Sequence, residues 1–168
     1  MKSYKYFLLF FLILSVMPAL ANPILRLTNG QGLTLNSDFI KIDQMSSKDI
    51  RLYVAQNGKV CVTHMDTSSF GKDLINTEED IDEAFEETAK KSGTAWENVT
   101  KTKIKTKSGY PVQVITYDQR GSYGIAKYTM YTILINGRID QITHSCTKDM
   151  EEQYSMLFFR LRAQITNL

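Results

Sequence analysis

Every cysteine and histidine in this 168-residue sequence falls in two short stretches, Cys61-Val62-Thr63-His64 and His144-Ser145-Cys146. Thiols and imidazoles form disulfides, ligate transition metals and act as nucleophile and base, so three chemistries compete for the same four residues. A Cys61–Cys146 disulfide is the preferred reading. Each cysteine sits in or at the end of a β-rich run, and linking residues 85 positions apart would stabilise the fold by about 4–5 kcal/mol in the chain-entropy treatment. A closed Cys2His2 site built from Cys61, His64, His144 and Cys146 would suit zinc or copper. In a regular strand, however, positions two apart share a face and positions three apart do not, which separates Cys61 from His64. A thiol nucleophile, Cys61 or Cys146 with His144 or His64 as base, needs an exposed thiol of lowered pKa, and no neighbour in sequence supplies one. Gly-x-Ser-x-Gly, Walker and dinucleotide-binding glycine patterns do not occur, so no catalytic residue and no cofactor is expected.

Binding is the other chemistry to consider. Tyr117, Tyr123, Tyr128 and Tyr131, with Arg120 in the Gln119–Gly124 segment, concentrate in the C-terminal half. On one sheet face they would line a ligand groove; as core and cross-strand aromatic pairs they would line nothing. Lys101, Lys103, Lys105 and Lys107 alternate, which suits a guarded sheet edge better than a polyanion site. Glu78, Glu79, Asp80, Asp82, Glu83, Glu86 and Glu87 lack calcium-loop spacing and read as a solvated helix face. Trp96 reads as a core anchor, and Asn98-Val99-Thr100 matches the N-glycosylation acceptor.

The elements that must position these residues are mostly hairpins. Asn57-Gly58 separates Asp49–Ala55 from Lys59–Asp66, and Asn136-Gly137 separates Ala126–Ile135 from Arg138–Cys146. Asn-Gly is the strongest short hairpin signal, because both central residues of a type I′ turn need positive φ. Val99–Lys107 and Pro111–Asp118 form a third pair turning at Ser108-Gly109. Helical period appears twice. After the Thr77–Asp80 capping-box variant, Ile81, Ala84, Phe85 and Ala89 share a face; in residues 149–164 and just beyond, Met150, Tyr154, Leu157, Phe158, Leu161 and Ile165 do. One N-terminal strand, a hairpin, a helix, four antiparallel strands and a closing helix make an α+β fold with a mainly antiparallel sheet of hairpins and two helices.

Gly109-Tyr110-Pro111-Val112 entering a strand, the Tyr128-Thr129-Met130-Tyr131 hairpin turning at Asn136-Gly137, and Tyr154-x-x-Leu157-Phe158 on the closing helix resemble the PsbP-like fold. The resemblance covers residues 109–160, and the Pro-x-x-Trp element common near the start of such domains does not occur here. It implies an antiparallel sheet flanked by helices, in a non-enzymatic accessory or binding module.

Residues 1–21 read as a cleavable signal peptide. Lys2 and Lys5 precede the apolar run Phe7–Leu14, Pro18 breaks it, and Ala19-Leu20-Ala21 is an A-x-A cleavage pattern. The apolar stretch ends too early to cross a bilayer. Removing those two lysines from the 20 basic residues leaves 18 against 18 acidic ones, a net charge of zero. Such a chain has no overall field for nucleic acid or anionic membrane. The expectation is one domain over residues 22–168, secreted or periplasmic, whose partner is another envelope or extracellular protein.

Overall fold

The computed structural model describes residues 22–35, 39–47, 50–55, 61–66 (backbone only), 77–91, 95–121, 124–148 and 151–168. The leader, the Asn57-Gly58 turn, Tyr123 and Met150 lie outside the described residues.

Two short strands, β1 (Ile24–Arg26) and β2 (Gly32–Thr34), pair as a separate ribbon. Seven more build one antiparallel sheet: β3 (Phe39–Lys41), β4 (Ile50–Ala55), β5 (Cys61–Asp66), β6 (Trp96–Lys105), β7 (Pro111–Gly121), β8 (Gly124–Ile135) and β9 (Arg138–Thr147). Their spatial order is β3-β4-β5-β9-β8-β7-β6. Helix α1 (Glu78–Lys91) lies between β5 and β6 in sequence, and α2 (Glu151–Thr166) closes the chain. The fold is therefore α+β, assembled from neighbouring hairpins, and all three expected hairpin pairs form.

Local chemistry explains these elements. Asn136 and Gly137 have φ of 51° and 73°, the backbone that a type I′ turn requires. At the start of α1, the Thr77 N–H donates to Asp80 Oδ2 at 2.8 Å and the Asp80 N–H to Thr77 Oγ1 at 3.3 Å, a reciprocal capping box. The end of α2 is tied to the β6–β7 turn, where the Lys107 N–H donates to the Thr166 carbonyl.

Two differences from the sequence expectation have simple causes. The single N-terminal strand is three strands, each of three residues, too short to show alternation. Strand β6 starts at Trp96, three residues before the expected Val99, because the register shifts between Glu97 and Thr100 and Asn98 takes φ of 53°. Such a bulge breaks the two-residue period.

The sheet buries its two faces differently. On the main face, α2 contributes Tyr154, Leu157, Leu161 and Ile165, and the β1–β2 segment contributes Leu25, Leu27, Leu33 and Leu35. They pack with Phe39, Tyr53, Val112, Val114, Tyr131, Ile133, Ile135 and Ile142. On the opposite face a smaller cluster of Phe85, Ile115, Tyr117 and Met130 forms under α1, flanked by Trp96 and Tyr128.

Candidate functional site

The two cysteine-histidine stretches meet where the N-terminal strands join the C-terminal meander. Strands β5 and β9 pair with Cys61 opposite Cys146, Thr63 opposite His144 and His64 opposite Thr143. Directly opposed α-carbons in an antiparallel ladder lie about 4.5–5.5 Å apart, within the span that a disulfide bridges. Position 64 is of the other parity, on the sheet face away from Cys146 and His144. The register therefore sets position 64 apart from positions 61, 144 and 146. Among the described residues no group of three histidine, cysteine or carboxylate side chains is arranged to hold a metal ion.

His144 and Cys146 are neighbours on the main face, with Nε2 3.7 Å from Sγ. Both are sealed: His144 is 0% exposed and Cys146 1%. The Phe158 ring from α2 meets the imidazole edge-on at 4.1 Å, and Phe39 lies at 5.9 Å. Burial disfavours the charged imidazolium and pushes the pKa of His144 down to about 3. A histidine that holds a proton so weakly is a poor base near neutral pH.

Asp140 shares this face, two strand positions from Ile142, and sequence reasoning passed over it. Its Oδ2 accepts the Thr28 N–H at 2.9 Å and the Thr28 hydroxyl at 3.0 Å, anchoring the β1–β2 turn to the sheet. Its Oδ1 is buried, with no hydrogen-bond partner among the described residues. Burial raises its pKa; the two Thr28 bonds and the charges of Arg51 and Arg138 oppose that rise. The available signal was parity: residues 140, 142, 144 and 146 alternate inward together.

Among the described residues, the aromatic candidates do not form one groove. Tyr117 and Tyr128 are directly opposed across β7 and β8 and stack at 4.9 Å with planes 2° apart. Trp96 stacks on the other side of Tyr117 at 4.3 Å, and Phe85 tilts against Trp96 at 5.1 Å. The outcome is a packed ladder under α1, in which burial and then Tyr128 raise the pKa of Tyr117 to about 12. Tyr131 is three residues from Tyr128 on the same strand, so it points to the opposite face and is buried in the main core. Arg120 is exposed near the end of β7. Trp96 is an anchor as expected, and its Nε1 is buried without a hydrogen-bond partner among the described residues.

The charged stripes have a role that neither suggested alone. Strand β6 is an edge of the sheet, as its alternating lysines predict. Lys103 Nζ lies 3.0 Å from Asp82, Lys101 pairs with Glu86, and Lys101 also sits 4.7 Å over the Phe85 ring. Gln113 donates to Asp82 as well. Asp82 and Glu86 thus pair with the sheet edge while staying solvent-exposed, as Glu79 and Glu83 are on the same helix. Asn98 serves the bulge: its Nδ2 donates to Asp118 at 2.9 Å.

No family profile matches the sequence, and no curated protein does either. Among solved structures, the solution structure of cyanobacterial PsbP from Synechocystis sp. PCC 6803 is similar. It has a TM-score of 0.61 and 11% identity over 88% of this chain and 93% of that one. The Pseudomonas aeruginosa protein PA94, of unknown function, matches with a TM-score of 0.48 and 13% identity over 88% of this chain and 96% of its own. At this identity the first likeness concerns the fold, and the fold is PsbP-like.

Proposed function

We propose that this chain is an exported, non-enzymatic accessory module that binds another protein of the cell envelope or extracellular space, its seam closed by a Cys61–Cys146 disulfide. The burial of His144 and Cys146 beneath α2 carries the reading. The residues best suited to chemistry support the core, and a buried imidazole and sulfur have no route to a substrate. The PsbP-like fold and the leader-like pattern of residues 1–21 support it. So does the Cys61–Cys146 register, because an export compartment is oxidising and the pairing distance suits a bridge.

The test is the native and denatured mass of the chain purified from its own export compartment. A protein beginning at Asn22, two hydrogens lighter than the reduced sequence and recovered in defined stoichiometry with a second protein is the expected result. Free thiols with a bound metal, or turnover that disappears in His144→Gln or Cys146→Ser, would overturn it.

A further inference from the structure

The aromatic ladder under α1 is closed at one end and open at the other. Its rings stack across the strands, from Trp96 on β6 to Tyr117 on β7 to Tyr128 on β8, and Phe85 of α1 caps the Trp96 end. The next position in that row is Ser145 on β9, directly opposite Tyr128. A serine carries no ring, so the stack stops there, and the Tyr128 ring has no second ring contact among the described residues. Tyr117 inside the stack is 7% exposed, whereas Tyr128 and Ser145 are half-buried.

Beside the open ring face runs a row of hydroxyls. Thr143, Ser145 and Thr147 share this face of β9, because alternate strand positions point the same way, and about 7 Å separates each from the next. Thr143 and Ser145 are half-buried and their hydroxyls bond to no described residue. Thr147 is 9% exposed, and its Oγ1 has no partner either. Within residues 113–119 of β7, 126–132 of β8 and 141–147 of β9, the register places no charged residue on this face.

We infer that the open end of the ladder is a binding site for an uncharged saccharide, one sugar ring stacking on the outer face of Tyr128 while its hydroxyls bond to Ser145 and to a neighbouring threonine. The inference goes beyond the protein-binding reading above and stands on the sheet geometry without it. A tyrosine face is electron-rich, and the flat side of a pyranose ring presents it with C–H hydrogens of weakly positive charge. The same ring carries several hydroxyls, each a donor and an acceptor, to match the unpartnered hydroxyls of β9. The neutral floor complements a neutral ligand, since a phosphate or carboxylate finds no cation on these strands. An aromatic side chain would fill the stack and leave the hydroxyls desolvated and unpaired, which is costly.

The test is calorimetric titration of the chain with cellotetraose, maltotetraose and chitotetraose. At least one should bind with a Kd of about 1 mM or tighter. Tyr128→Leu should weaken that saccharide about tenfold, and Ser145→Ala about fivefold, the loss of one neutral hydrogen bond. Ser145→Tyr continues the ladder onto β9 with the protein's own ring. It should abolish binding while the thermal midpoint holds or rises, because cross-strand aromatic pairs are favourable. Failure of all three saccharides to bind overturns the site, and so does unchanged affinity in Tyr128→Leu, whether or not Ser145→Tyr folds. Tighter binding of p-cresol, the side chain of tyrosine alone, than of every saccharide would assign the open ring to an aromatic residue of a protein partner and overturn the sugar.

Discussion

The two faces of the sheet solve the same burial problem with different materials. The main face packs aliphatic residues and the rings of Phe39, Tyr53, Tyr131 and Tyr154, from a helix, a ribbon and five strands, around the buried polar groups Asp140 and His144. The second face uses one helix, a four-ring aromatic ladder and ion pairs along an edge strand. The larger, fully enclosed core leaves little room for change, whereas exposed rim charges tolerate substitution. The main face should therefore govern stability, and the second should govern how α1 is held.

The largest effect expected is at the β5–β9 seam. Reducing the proposed bridge, or replacing both cysteines by serine, should lower the unfolding free energy in denaturant by about 4–5 kcal/mol; no change on reduction would mean that no bridge closes the seam. Next, Leu161→Ala in the main core should cost about 3 kcal/mol. Trp96→Phe in the ladder should cost about 1 kcal/mol, because it also deletes a buried N–H that lacks a partner. Equal losses would erase the distinction between the faces.

The third effect depends on pH. The folded pKa of His144 is depressed to about 3 from an ordinary 6.5, so the unfolded chain binds the extra proton first. Its contribution is complete above pH 6.5 and is lost as pH falls through that window, by about 2 kcal/mol at pH 5. Asp140 acts in the opposite sense, since its raised pKa favours the folded state at low pH and less so as pH rises. Denaturant midpoints between pH 7 and 4 should flatten in His144→Leu and steepen in Asp140→Asn. The smallest effect belongs to the rim: Lys103→Gln should cost under about 1 kcal/mol, and less still in high salt.

How much of this was legible in the sequence follows from the range over which each signal acts. Asn136-Gly137 and Thr77-to-Asp80 are local chemistry, and the structure uses them as written. The helical stripes of Ile81 with Phe85, and of Tyr154 through Ile165, face cores as their spacing required. The three-residue strands were too short to carry a period, and the Asn98 bulge concealed the start of β6. Pairings between distant elements were illegible. Nothing in the sequence joins Thr28 to Asp140, Asp82 to Lys103 or Gln164 to Thr34, because those contacts exist only once the sheet order is known. Parity within a strand was available throughout. It separated Cys61 from His64 in the sequence, and applied to Tyr128 and Tyr131, grouped there as one candidate groove, it would have separated them too.

The order of the strands also constrains when each part of the molecule can form. Strands β6 to β9 join consecutive neighbours through short turns, whereas β5, paired with β4 and ending at residue 66, finds its second neighbour only in β9, which begins at residue 138. Loop closure over such a distance is slow compared with hairpin formation. Strand β5, made early, is thus among the last to gain a neighbour on both sides. Until β9 arrives, β5 presents an open edge to solvent. Delay of the last hairpin, by replacing Gly137 for example, should leave that edge exposed longest and make aggregation during refolding the first symptom, ahead of any loss in final stability.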